Sequence, residues 1–298
     1  MKIIETNGLN FFYGKQKVIN NLNLNVPKNS IYGFLGPNGS GKSTTIKLLL
    51  GLLKSSNENI LLFGNRLSEN KSEILHKVGN LIESPTVYQH LSALENLCYI
   101  NYIYKVKRER IEEVLRFVGL WEERNKRVKN FSLGMKQRLG IGMALFHDPE
   151  LLILDEPVNG LDPKGVYEIR ELLLRLQTEG KTIFISSHIL SEIEKICSHV
   201  GIINVGEILY QGSMKQLLSQ TKSHVFLQTN NNTKAINLLE KENFTIAQDA
   251  DKRLKVKLDN NKTLNQLITA LVGNEVELID IEKGSSSLED VFIDLTSN

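Results

Sequence analysis

The run Gly36-Pro37-Asn38-Gly39-Ser40-Gly41-Lys42-Ser43 constrains this chain more than any other stretch. It reads as glycine, four residues, glycine, lysine and serine. It stands between a short apolar run, Ile31 to Leu35, and a segment of helical character, Lys42 to Leu53. Three glycines let the backbone curl so that successive N–H groups face one anion. The helix start adds positive partial charge. Strand, glycine-rich loop and helix in this order form the pattern of a phosphate-binding loop. In that pattern Lys42 reaches the β- and γ-phosphates of a nucleotide, Ser43 ligates Mg²⁺, and Thr44 continues the cradle. A plain glycine turn would not require Lys42 and Ser43 in this register.

A second element completes such a site. Leu151 to Leu154 is fully apolar and ends in Asp155-Glu156. A buried strand of this kind delivers Asp155 to a metal and sets Glu156 beside it, where it can polarise an attacking water as general base. A second buried strand, Thr182 to Ser186, ends in Ser187-His188. Helices are expected over Arg108 to Val118, Gly134 to Phe146 with Ser132 as a cap, and Pro163 to Gln177. Leu22, Leu24 and Val26 alternate with asparagines, the period of a strand with one wet face. Alternating strands and helices imply an α/β fold with a mostly parallel sheet covered on both faces, preceded by N-terminal strands.

With 298 residues, 41% hydrophobic and 23% charged, the chain has the composition of an ordinary globular protein, which excludes disorder, collagen and coiled-coil rods as the main architecture. The net charge of +2 selects no partner. Cys98 and Cys197 lie far apart, in no metal or redox spacing, and read as reduced thiols of a cytosolic protein. The first residues meet an acid and an asparagine too early for a signal peptide. No apolar run approaches the ~20 residues of a membrane span. Work at a membrane would therefore need membrane-embedded subunits on other chains.

The polar stretch Ser219-Gln220-Thr221-Lys222-Ser223 reads as a linker. It divides a domain over 1–220, with a helical subdomain at about 84–147, from a small α+β domain over 221–298. The latter reads strand, helix, strand, strand, helix, strand, an order resembling a ferredoxin-like unit, followed by an amphipathic segment from Leu288 to Leu295. It carries nine Lys/Arg against twelve Asp/Glu, so residues 1–220 hold +5.

Phe131-Ser132-Leu133-Gly134-Met135-Lys136-Gln137-Arg138 precedes one of the expected helices. This stretch resembles the signature of ATP-binding-cassette (ABC) proteins. The order phosphate loop, helical insert, signature, acidic strand and His188 matches that family over about residues 1–220. The resemblance implies ATP and Mg²⁺ as ligands, ATP hydrolysis, and a head-to-tail pair of identical ATPase subunits. In such a pair Ser132 and Gly134 of one copy complete the pocket of the other. It further implies Tyr13 stacking on adenine, Asp162 in the loop touching the facing subunit, and His188 at the γ-phosphate. Glu83, within Val78-Gly79-Asn80-Leu81-Ile82-Glu83-Ser84-Pro85, stands where the family usually carries glutamine; as a carboxylate it can still bind metal or its water. The signature departs from Leu-Ser-Gly-Gly-Gln at Phe131, Leu133 and Met135 while keeping Ser132 and Gly134. With Glu83, this looks like the ATPase subunits of bacitracin and lantibiotic resistance exporters.

The expected role is thus a cytoplasmic motor, held peripherally on the inner face of the cell membrane by a polytopic permease, that powers expulsion of an amphipathic or antimicrobial peptide. Alternatives are another export system or an ABC ATPase acting on DNA or ribosomes. Residues 105–129 hold nine Lys/Arg, but also five Glu. The chain has neither a long coiled-coil insertion nor a second cassette, so nucleic acid is not an expected partner. A non-hydrolysing sensor is disfavoured by intact Lys42, Asp155, Glu156 and His188.

Overall fold

The computed structural model describes residues 1–54, 59–220, 224–248, 253–258, 263–284 and 288–296. The chain forms two compact units, Met1–Met214 and Lys215–Asn298. The division falls ahead of residue 220 because Met214–Gln220 is helical, so Ser219 and Gln220 close a helix instead of opening a linker. Residues 221–223 of the expected linker lie outside the described residues.

The first unit is built on a six-stranded sheet. Its order is Glu207–Ser213, His199–Asn204, Ile31–Leu35, Thr182–Ser187, Leu151–Asp155, Val78–Leu81. Only the Glu207–Ser213 edge is antiparallel; the other pairings are parallel. The three central strands are buried at every residue. A parallel sheet covered on both faces requires this, and it explains why these strands read as unbroken apolar runs. Their carboxyl ends lie side by side, with Ser187 opposite Leu35 and Ser186 opposite Asp155. Such ends are where open α/β sheets place their ligands.

N-terminal antiparallel strands form a separate sheet in the order Asn25–Pro27, Lys2–Thr6, Ile60–Leu62, Asn65–Arg66, beside a hairpin of Leu9–Tyr13 and Gln16–Leu22. One apolar cluster joins Ile4, Leu22 and Val26 to Ile46, Leu48 and Phe184. It anchors the helix Lys42–Leu49 between this layer and the main sheet. Leu22, Leu24 and Val26 are fully buried, as their alternation predicts. They do not form one strand, however. Asn21 turns left-handed (φ 48°), and Leu24 N–H donates to Thr6 Oγ1 at 2.8 Å, breaking the segment. The helix expected to reach Leu53 stops at Leu49, because Gly51 turns left-handed (φ 62°) and Leu52 N–H closes back on Lys47 O.

Three α-helices, Ala93–Tyr104, Glu109–Phe117 and Leu133–Leu145, make up the helical part. Ile111, Val114, Leu115 and Val118 are buried along one face. Leu133–Leu145 lies so close to the sheet edge that a Cβ on Gly79 would stand 2.2 Å from Ala144 O. At the end of this helix His147 stacks flat on Tyr104, with centroids 4.3 Å apart.

The second unit orders its strands Thr245–Gln248, Leu254–Lys257, His224–Thr229, Leu278–Gly284, all antiparallel. Helices Asn232–Lys241 and Leu264–Val272 supply Ala235, Leu239, Leu267 and Leu271 to its core. This is the split arrangement of a ferredoxin-like unit. Its last strand starts at Leu278 and not at Val276, since Val276 N–H caps the preceding helix on Leu271 O.

Burial pushes the His147 pKa down from the ordinary 6.5 to about 4, and neither ring nitrogen has a hydrogen-bond partner among the described residues. Between those values the unfolded chain binds the proton and the folded one does not, so stability should fall as pH drops through that window. Urea unfolding from pH 7 to pH 4 should show a smaller acid loss in His147→Phe, which keeps a ring on Tyr104, than in the wild type.

Candidate active site

The phosphate loop leaves the buried end of Ile31–Leu35 and is shaped by two left-handed glycines, Gly39 (φ 81°) and Gly41 (φ 107°). Gly36 is needed for space: a Cβ there would lie 2.4 Å from both Ile203 O and Ser40 Oγ. Ser40 N–H closes a turn on Pro37 O at 3.1 Å. Lys42, Ser43 and Thr44 open the helix, so their amides are among the donors that a helix leaves without an internal acceptor. Buried Ser40 Oγ has no hydrogen-bond partner among the described residues.

Lys42 is 7% exposed and donates to Gly36 O at 2.7 Å and to Pro37 O at 3.3 Å. Burial lowers its pKa, and Glu156 and Asp155 pull it back up. Its Nζ lies 3.9 Å from Glu156 Oε1, while Glu156 Oε2 lies 2.8 Å from His188 Nδ1. The Glu156 carboxylate is thus held between a cation and an imidazole. Its backbone is left-handed (φ 48°), a conformation costing a non-glycine residue on the order of 1–3 kcal/mol and common where function requires it. Ser186 holds it there, accepting from Glu156 N–H at its carbonyl (3.2 Å) and hydroxyl (3.0 Å). The same hydroxyl donates to Asp155, which is 2% exposed.

These residues enclose a cavity of about 480 Å³ lined by Val18, Asn38, Gly39, Gly41, Lys42, Ser43, Thr44, Glu156, Asn159 and His188. Ser43 is exposed on this cavity and Asp155 ends the adjoining strand. Among the described residues no three His, Cys, Asp or Glu side chains gather as a self-sufficient metal cage. One carboxylate and one hydroxyl suit a Mg²⁺ ion that is shared with phosphate oxygens and water.

Other expected site residues lie apart. Tyr13 is 49% exposed and packs edge-on against Phe11. Glu83 is 67% exposed, and its carboxylate pairs with Lys47 Nζ at 2.9 Å. Ser132 caps Leu133–Leu145 by accepting from Met135 N–H at 3.2 Å; Asp162 caps Pro163–Thr178 by accepting from Gly165 N–H at 2.9 Å. The two caps adjoin: a Cβ on Gly160 would meet Leu133 at 3.3 Å, and one on Gly134 would lie 4.0 Å from Leu161. Much of the basic run at 105–129 is engaged locally, with Arg110 on Glu113, Arg116 on Glu112, and Arg116 and Arg124 on the Trp121 ring. Asn159, which opens the loop Asn159-Gly160-Leu161-Asp162 that the family resemblance implies at the facing subunit, lines this cavity as well, whereas nothing in the linear sequence singles out Ser186, Val18 or Lys47, beyond the place of Lys47 four residues after Ser43 and so on the same helix face.

A phosphate loop at the carboxyl edge of a parallel sheet, with an acid-ended strand beside it, defines a nucleoside-triphosphatase of the phosphate-loop class. Family comparison refines this. The family described as "ABC transporter" matches residues 19–159, and that described as "ATP-binding protein DrrA1-3-like, C-terminal domain" matches 212–296. A third, described as an AAA domain and putative AbiEii toxin, matches 126–194 within the same unit. The chain is 45% identical to the bacitracin transport ATP-binding protein BcrA of Bacillus licheniformis, over 98% of this chain and 97% of that protein. It is 45% identical to the lantibiotic transport ATP-binding protein SrtF of Streptococcus pyogenes, over 67% of this chain and 88% of that one. Among solved structures it resembles cbiO1 of Clostridium perfringens, part of the ABC transporter complex cbiONQ, with TM-score 0.68 and 28% identity over 74% of this chain and 91% of that one. The chain belongs to the ABC transporter ATP-binding family and is an ATP hydrolase of that type.

Gly36→Ala should weaken binding of a fluorescent ATP analogue at least tenfold in an equilibrium titration, because the added methyl cannot be seated without moving the loop. Wild-type affinity in a folded variant would contradict that account of the loop.

Proposed function

We propose that this chain is the ATPase of an exporter that expels an amphipathic peptide antibiotic of the bacitracin or lantibiotic class through separate membrane subunits. Its near-full-length likeness to a bacitracin transport ATP-binding protein supports the cargo class. The DrrA-like match over 212–296 supports a drug-exporter ATPase. No helix among the described residues is long and apolar enough to cross a membrane, in keeping with a permease on other chains.

The observation that carries the mechanism is the Lys42–Glu156–His188 array at the mouth of the cavity. The loop amides and Lys42 bind the β- and γ-phosphates. Lys42 exchanges its bonds to Gly36 O and Pro37 O for phosphate oxygens. Ser43 and Asp155 would hold Mg²⁺, which supplies positive charge to the transferring phosphoryl group. Glu156, steadied by His188, accepts a proton from the attacking water. The loop residues Pro37, Asn38, Gly39 and Ser43 are exposed on one side, and so are Ser132 and Leu133. In this reading a second copy brings its Ser132 and Gly134 against that open side, so ATP closes two identical subunits head to tail and hydrolysis reopens them. Tyr13 meets the adenine, and Asp162 sits at the seam. The permease holds the pair at the inner membrane face and converts closure into peptide expulsion.

Glu156→Gln should keep ATP affinity within a few-fold, yield ATP-dependent dimers by light scattering, and reduce turnover by at least a hundredfold. Undiminished hydrolysis would remove Glu156 from its role, and a strictly monomeric variant under Mg·ATP would remove the paired mechanism.

A further inference from the structure

We propose that Lys47 is a positioning residue: it clasps the Glu83 carboxylate one helical turn from Ser43 and competes with the magnesium site for that carboxylate. The inference rests on the nucleotide-site reading above and adds to it a residue and a competition.

Three observations converge on Lys47. Its Nζ lies 2.9 Å from Glu83 Oε1. It stands in the helix Lys42–Leu49 four residues beyond Ser43, so both side chains leave the same face. Glu83 has a left-handed backbone (φ 60°), which a non-glycine residue adopts only where its surroundings hold it. The charge environment agrees. The Lys47 pKa is raised chiefly by its bond to Glu83, with smaller contributions from Tyr13 and Asp155. The ammonium therefore lies in the field of both the clasped acid and the acid that ends the neighbouring strand.

The chemistry explains why an acid is tolerable at position 83. A glutamine there would be neutral. A carboxylate adds a full negative charge, and the Lys47 ammonium beside it balances that charge. The strength of the pair suits a reversible clasp. An ion pair this exposed is weak, so arrival of a metal–nucleotide complex can break it, whereas a buried pair would stay shut. Glu83 thus has two partners to choose between, and Lys47 sets how readily it leaves the first.

The test uses the full chain and a fluorescent ATP analogue, titrated with MgCl₂ to find the midpoint of magnesium-dependent binding, with a parallel titration in EDTA. Removing the clasp with Lys47→Met should lower the magnesium midpoint by about threefold to fivefold, and Lys47→Arg should restore the wild-type value. In a Glu83→Gln background the same Lys47→Met change should move the midpoint by less than a factor of two. An equal shift in both backgrounds, no shift, or a shift to higher magnesium would overturn the proposal. So would a loss of magnesium-free affinity in Lys47→Met, which would make Lys47 a phosphate ligand. Wild-type protein that binds the analogue with no magnesium dependence would overturn the metal-site reading, and the clasp with it, so the two failures are distinguishable.

Discussion

The contact on which the rest of the site depends is the buried Lys42 ammonium against the carbonyl of Gly36. A cation removed from water must be paired or hydrogen-bonded, or it neutralises. The loop supplies two of its own carbonyls, and the end of the acidic strand adds the Glu156 carboxylate at 3.9 Å. Those acceptors keep the lysine charged and aimed along the loop before any phosphate arrives. The curl that brings them round needs glycine at 36 for space and at 41 for backbone angle. Loop shape and charge placement are therefore one solution to one problem.

Ser186 shows how little machinery holds the second half of the site. Its hydroxyl donates to Asp155 and accepts from the Glu156 amide, while its carbonyl accepts from the same amide. One serine on the strand between the loop and the acidic strand thus fixes both acids relative to each other. From Glu156 the chain runs through Asn159 to Gly160 and Leu161, which pack against the start of the signature helix. Glu156 is linked to the start of the signature helix by the five tightly turned residues from Pro157 to Leu161.

What could be read in advance followed from chemistry confined to short stretches. The loop, the acid-ended strand and the Ser132 cap each need neighbouring residues of a given type, so the linear order displays them. The parallel sheet was legible because its central strands are buried on both faces and cannot disguise their apolar runs. The ends of elements were less legible. The phosphate-loop helix stops at Leu49, and the Leu22–Val26 segment breaks, because of tertiary hydrogen bonds and left-handed turns that periodicity does not carry. Lys47 and Ser186 went unnoticed for a related reason. Each acts through a partner thirty or more residues away in the chain, and a common lysine or serine advertises nothing until the fold supplies that partner. Family resemblance located Glu83 but said nothing of the ammonium it meets here.

Gly79 has a mechanical consequence. With its α-carbon pressed against the Ala144 carbonyl, Gly79 brings the signature helix and the outermost strand of the main sheet together backbone to backbone at this point. At that contact the two backbones cannot slide past each other without one of them giving way. A tug applied where that helix begins would arrive with little damping at the turn four residues beyond Gly79, where Glu83 is held.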